Sequence, residues 1–237
     1  MIPKINRFSY PGTNRELIEG KRHYIVGKSK LPSVTTILSA TMPEEKRQSL
    51  ARWVEREGKK RSDEIKQRSA NRGSAMHEIL EHTILNKGYA DLTDLGRQAT
   101  AMAAIIAERG LSDINAFYGT EVTVHYPELY AGQTDLAALH KEQDSIIDFK
   151  QTNKPKRREW IDDYFCQLGG YAMAHNYVYR TKIQSGVILM CSKDLFFQKF
   201  EVTGKEFVDY QHEFLKRVDQ YYQNVPSQEE GEDTKND

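Results

Sequence analysis

Cysteine is scarce in this chain of 237 residues: Cys166 and Cys191 are the only two, and neither sits in a CxxC pair or beside a histidine at metal-ligand spacing. A disulfide framework, a structural zinc site and an iron–sulfur cluster are therefore not expected, and two buried thiols in a reducing compartment suffice as the reading. Long apolar runs are missing too. No stretch reaches the roughly 18 apolar residues that a membrane span needs, and residues 1–30 mix Pro3, Lys4, Asn6 and Arg15 where a signal peptide would be apolar. The expectation is a cytoplasmic protein of a bacterial cell or a virus-infected host cell, with no membrane partner and no signal or transit peptide. Net charge is also absent, with 34 basic against 34 acidic residues. The balance is uneven along the chain: five acids and one lysine from Pro226 onward make that end −4, leaving +4 for residues 1–225. The acidic end, residues 227–237, reads as a disordered tail.

The length suits one core, so residues 1–226 are expected to form a single domain. Residues 1–30, with Pro11-Gly12 and Gly20, predict an extended arm or short hairpin without chemistry. Residues 31–110 predict a helical region. Ser33 can cap a helix carrying Val34, Ile37 and Leu38 inward. Pro43-Glu44-Glu45 opens a second helix, and residues 44–72 carry ten Lys or Arg against six acids, either a solvated face or a basic surface. Arg72-Gly73-Ser74-Ala75 leads into a helix with Met76, Ile79, Leu80 and Ile84 on one stripe and His77 beside it, and residues 93–109 form another amphipathic helix ending at Gly110. The period then changes to 2. Glu121–Tyr126, Asp135–Leu139 and Ile146–Lys150 predict three neighbouring antiparallel strands, followed by a helix at 160–180, strands at 186–191 and 195–202, and a closing helix at 204–223. This order defines an α/β (α+β) fold: a central mixed β-sheet flanked by helices, with the catalytic core at 117–223.

An acid two residues before a lysine occurs six times, so context must choose among them. Only Asp148/Lys150 lies in an apolar strand, Ile146-Ile147-Asp148-Phe149-Lys150, where alternation sends both charges to one face and Ile147 and Phe149 to the other. An edge ion pair or water-facing charges would explain the pair taken alone. Asp135, however, follows Gly132-Gln133-Thr134 on a strand that a hairpin lays beside this one, and two adjacent carboxylates repel unless a cation holds them. Oxygen donors of this kind favour Mg²⁺ or Mn²⁺, which can activate water and neutralise a phosphate, with Lys150 orienting that water. His77 could add a ligand from its helix. Gln167 and Tyr171 share a helix face with Tyr164, and an amide in so apolar a helix needs a partner such as a phosphate or a site residue. Lys154, Lys156, Arg157 and Arg158, running into Trp160, suit backbone phosphates and base stacking, or else a solvated loop.

In this order, His77, Gly132-x-x-Asp135, Asp148-x-Lys150 and Gln167-x-x-x-Tyr171 resemble the RecB-like branch of the PD-(D/E)xK nuclease superfamily. Leu31-Pro32-Ser33-Val34-Thr35, Thr41-Met42-Pro43-Glu44, Arg52-Trp53 and Lys154-Pro155-Lys156 narrow the resemblance to the mitochondrial genome maintenance exonuclease family and its phage and bacterial relatives, over about residues 31–220. The resemblance implies a restriction-endonuclease-like core and a DNA exonuclease of replication, repair or recombination. It would prefer free ends of single-stranded DNA, use one or two Mg²⁺ or Mn²⁺ ions and leave 5′-phosphates. It puts metal ligands on His77, Asp135, Asp148 and the Phe149 carbonyl, makes Lys150 catalytic with Asp135 and Asp148, and matches Glu121, Gln167 and Tyr171 to supporting positions. DNA contacts would fall on Ser33, Thr35, Arg72, Lys154, Lys156, Arg157 and Arg158. Thr134 stands where the superfamily's name has proline, and no cysteine tetrad for a cluster is present. Alternatives are a duplex exonuclease, a structure-specific endonuclease, or a binding module on the same fold that has lost catalysis.

Overall fold

The computed structural model describes residues 1–224; the expected acidic tail, 227–237, lies outside the described residues. Two sheets form. The segment expected to be an arm or hairpin is a three-stranded antiparallel sheet of β1 (Asn14–Ile18), β2 (Lys21–Val26) and β3 (Ser29–Pro32). Gly20 (φ +73°) and Gly27 (φ +61°) supply the left-handed backbone in its two turns. The sheet docks through Tyr24 and Leu31, which pack with Ala131. It is also pinned where Arg22 O accepts both the Ser33 amide and the Thr36 hydroxyl, each at 3.0 Å.

Four helices follow: α1 (Val34–Ala40), α2 (Glu44–Glu57), α3 (Lys59–Ile84) and α4 (Asp94–Gly110). Ser33 caps α1, its Oγ accepting the Thr36 amide at 2.9 Å, which stabilises the helix by about 1 kcal/mol. Gly58 at φ +78° breaks α2 from α3, and α2 buries none of its residues. The helix expected to begin at Gly73-Ser74 instead runs unbroken from Lys59. Gly73 serves there as a close-approach point, since a Cβ would stand 3.3 Å from Gln151 Cγ.

The central sheet has the order β4 (Ile114–Tyr126), β5 (Tyr130–His140), β6 (Gln143–Thr152), β7 (Ser185–Ser192) and β8 (Phe197–Thr203). Its pairs are antiparallel except β6 with β7, which run parallel because α5 (Asp162–Tyr179) connects them. The sheet is therefore mixed, and α6 (Gly204–Asn224) closes the fold. Alternation divides the core between its two faces. Ile146, Ile188 and Met190 pack with Val34, Ile37, Phe165, Leu168 and Phe214 of α1, α5 and α6. Ile147, Phe149, Val187 and Leu189 pack with Met76, Leu80, Met102 and Ile106 of α3 and α4. Every residue of β7 is buried, as a strand covered on both faces requires. Among the described residues, no helix is long and apolar enough to cross a membrane.

One irregularity of this sheet creates the site. The β5–β6 ladder ends at Leu136–Ile147, while β6 continues to Thr152 along β7. The two strands thus part at Asp135 and Asp148, and α3 and α5 reach over the opening.

Candidate active site

A cleft of about 460 Å³ opens there, lined by His77, Glu121, Asp135, Asp148, Lys150, Gln167 and Tyr171. Asp135 is 9% exposed and Asp148 2%. Asp135 Oδ2 accepts the Phe149 amide at 2.6 Å, and Asp135 Oδ1 lies 3.1 Å from His77 Nδ1. Asp148 Oδ1 accepts from Gln167 Nε2 at 3.3 Å, and the same amide nitrogen donates to the Tyr171 hydroxyl at 2.9 Å. Lys150 forms an ion pair with Asp148 Oδ2 and stands 5.0 Å from the centre of the Tyr164 ring. Both Asp148 oxygens are thus buried, one held by the Gln167 amide and the other by the Lys150 ammonium.

Glu121 enters by a backbone irregularity. Its φ of +48° interrupts the strand opposite Asp135, between the register pairs Thr120–Leu136 and Val122–Thr134. This conformation costs on the order of 1–3 kcal/mol for a residue with a side chain. Gln133 helps hold it, donating through Nε2 to Glu121 O at 2.9 Å. One ligand atom each from His77, Glu121 and Asp135 can then lie within 4.8 Å of one another.

Crowded acid sets the electrostatics. Burial, together with the Asp135 charge, pushes the Asp148 carboxyl up to about 6 against the pull of Lys150. Burial, with Asp135 and Glu81 nearby, pushes Glu121 up to about 7. Asp135 is buried too, but His77, Lys150 and the Phe149 amide outweigh that burial and lower its pKa. Burial opposes charge on His77, yet the Asp135 carboxylate prevails and raises the imidazole to about 9. A divalent cation fits this donor set of imidazole and converging carboxylate oxygens. Asp113, His140 and Glu201 also come within reach of one another. Ammonium groups already neutralise that cluster: Lys199 Nζ lies 2.5 Å from Asp113 Oδ2, and Lys141 Nζ 2.7 Å from Glu201 Oε1.

The expected DNA contacts divide. Thr35 lines the cleft. Ser33 does not, because it is 2% exposed and its hydroxyl is spent on Thr35, Thr36 and the α1 cap. Arg72 also departs from expectation. It is 3% exposed, and its guanidinium donates to Gln151 Oε1 at 2.8 and 3.0 Å and to Asn153 Oδ1 at 2.5 Å. In the structure Ser33 serves as a helix cap and Arg72 as a brace between α3 and β6. Arg158 is largely committed to Glu206 at 2.6 Å and to the Phe165 ring. Lys154 and Arg157 are exposed, with Arg157 over the Trp160 ring, and Lys156 is half-buried.

Arg15, Arg22, Ser74, Glu78, Glu81 and Gln133 also line the cleft and were missed from sequence. Gln133 and Glu81 carried a usable signal: Gln133 is two residues from Asp135 on a strand, and Glu81 four from His77 on a helix. Arg15 and Arg22 carried none, since tertiary docking of the first sheet brings them in.

No protein-family model matches the chain. The chain is similar to the mitochondrial genome maintenance exonuclease 1 of Xenopus tropicalis, 29% identical over 174 residues, which is 69% of this chain and 49% of that protein. It is likewise similar to the protein of the same name from Homo sapiens, 27% identical over 177 residues, covering 70% and 51% respectively. The chain thus spans about half the length of the curated relatives it matches. Among solved structures, a protein from Eubacterium rectale described as a "putative exonuclease" overlays with a TM-score of 0.46 at 12% identity, covering 65% of this chain and 69% of that one. An alkaline exonuclease from Laribacter hongkongensis overlays with 0.34 at 14% identity, covering 62% and 76%. Both scores are below one half, and neither bears on function. The sequence relatives bear out the resemblance to a PD-(D/E)xK-type exonuclease.

Proposed function

We propose that the chain is a divalent-metal-dependent DNA exonuclease that hydrolyses phosphodiester bonds, preferring free ends of single-stranded DNA. One observation carries this reading: three carboxylates, Glu121, Asp135 and Asp148, converge with His77 on one cleft where two strands part. Nothing in a purely structural ion pair calls for so many converging acids, whereas one or two Mg²⁺ or Mn²⁺ ions would balance them. His77, Asp135, Asp148 and the Phe149 carbonyl would hold the metal, with Glu121 beside them. Bound there, a divalent ion supplies Lewis-acid polarisation of phosphate and a more acidic water.

The chain's own groups do the rest. Lys150, kept charged by Asp148, presents an ammonium that can orient the attacking water and offset charge growing on the phosphate oxygens. Gln167 fixes the Asp148 carboxylate, and Tyr171 fixes Gln167. Thr35, Lys154, Lys156, Arg157 and the exposed basic residues of α2 and early α3 are the proposed DNA contacts outside the metal centre.

The test is a time course on end-labelled linear single strands, circular single strands and duplexes, with Mg²⁺, Mn²⁺ or EDTA. Cleavage of linear single strands that needs metal and spares circles is expected. Degraded circles would overturn the need for an end, and full activity in EDTA would overturn the metal.

A further inference from the structure

The cleft is unevenly charged. Glu78, Glu81, Glu121, Asp135 and Asp148 all line it, and Lys150 is already engaged by Asp148. A polyanion approaching this acid set alone would be repelled. The compensating charge comes from Arg15 on β1 and Arg22 on β2.

Register fixes their placement. Arg15 pairs with Tyr24 and Leu17 with Arg22, so strand alternation puts both arginines and Tyr24 on one face of the first sheet. The Tyr24 phenol responds to both: burial raises its pKa, and the Arg22 and Arg15 charges draw it back. Both arginines are exposed. Among the described residues, Arg22 joins no ion pair, and its guanidinium faces the Tyr24 phenol. Arg15 faces the same neutral phenol and donates to the neutral Gln133 Oε1 at 2.9 Å, and Gln133 in turn holds Glu121 O. Guanidinium groups that line a cleft yet have no acid partner are suited to bidentate binding of phosphate.

We propose that the N-terminal sheet is the phosphate-gripping wall of the cleft. In this assignment Arg22 and Arg15 bind backbone phosphates of the strand flanking the bond to be cut, and Arg15 also positions Glu121 through Gln133. The proposal rests on the nuclease reading and adds to it a binding site on an element outside all the motifs.

The test uses the full chain with Arg22→Ala, Arg22→Lys, Arg15→Ala and the double alanine variant. Binding of a fluorescein-labelled single strand is followed by anisotropy in EDTA over a salt series, and cleavage is followed with Mn²⁺. For Arg22→Ala the expected result is roughly tenfold weaker binding and a salt slope shallower by about 0.7 for one lost single-strand phosphate contact. KM should rise more than kcat falls. Arg22→Lys should keep the slope while losing part of the affinity. Arg15→Ala should lower kcat as well, because Glu121 loses its anchor. Unchanged affinity and salt slope in a folded double variant, beside a wild-type chain that cleaves DNA, would overturn this proposal alone. A wild-type chain that neither binds nor cleaves DNA would overturn the nuclease reading and this proposal with it.

Discussion

The Asp135 carboxylate takes the Phe149 amide at 2.6 Å, a backbone donor on the strand from which its own strand has just parted. One side-chain oxygen thus replaces a lost ladder bond and leaves the other facing His77. The opening of the sheet and the placement of the acids are one event. Removing that carboxylate disturbs both, so Asp148 is the cleaner position for a test of chemistry.

Asp148→Asn keeps the shape and the Gln167 contact but removes a buried charge. Cleavage of labelled single strands should be lost, because the charged oxygen proposed to hold the metal is gone. The thermal midpoint in EDTA should hold or rise, because one of two repelling carboxylates is gone. Activity near the wild-type rate would remove Asp148 from the site.

Stability of the metal-free chain should fall as pH rises. Asp148 is raised from 3.8 to about 6, Glu121 from 4.5 to about 7 and His77 from 6.5 to about 9. A raised folded-state pKa contributes stability that is complete below the unfolded value and lost as pH climbs through the folded one. Asp135, lowered by His77 against its burial, acts in the opposite sense, and its contribution is lost as pH falls through its folded pKa. Differential scanning calorimetry in EDTA should therefore show the midpoint declining from about pH 5 to about pH 9. Mn²⁺ should restore it with an increment that grows with pH, since each proton released makes binding about tenfold tighter per pH unit. An increment that shrinks with rising pH would contradict this assignment of protons.

Gln167→Ala removes the amide between Asp148 and Tyr171 without touching the acids. Activity should drop about 10- to 100-fold, as for other groups that orient metal ligands. Tyr171→Phe, which deletes only the hydroxyl behind Gln167, should cost less. Equal losses in the two variants would show that Gln167 does not act on Asp148 directly.

Arg72→Met separates a brace from a DNA contact. Gln151 and Asn153 would lose a charged donor inside the protein, and the chain should be destabilised by about 1.5–3 kcal/mol in urea. Single-strand affinity of the folded variant should stay within about twofold. An affinity loss with stability intact would restore Arg72 to the DNA surface.

Gly132→Ala would put a Cβ 2.4 Å from Tyr171 Cε1. The ring must then shift, and Gln167 with it. Destabilisation of about 1–3 kcal/mol, as for an overpacked core, should accompany a loss of activity. Unchanged activity would show that Tyr171 need not be held where it stands.

Strands and amphipathic helices were legible because their side chains must satisfy a face: the period-2 run Ile146–Lys150 and the stripe Met76, Ile79, Leu80 both locate their elements. The same periodicity brought Asp148 and Lys150 together, and the hairpin turn brought Asp135 to them. What escaped was long-range. The polar segment around Arg15 and Arg22 has no stripe of its own, and its position depends on Tyr24 and Leu31 docking on Ala131. The extent of α3 was hidden because Gly73-Ser74 reads as a helix start, whereas the close approach of Gln151 explains that glycine. Ser33 and Arg72 were recognisable as polar but not as already engaged, since their partners lie in the cap of α1 and on β6.

Helix α2 contributes nothing to either core face, joins α3 through Gly58 and ties to α5 through Lys46 and Asp163 at 3.0 Å. Its outward positions can accept dyes, cross-linkers or altered charge for a few tenths of a kcal/mol each. It is a replaceable cassette, one whose length and sign could be redrawn to retune what the molecule grips while the scaffold beneath stays as it is.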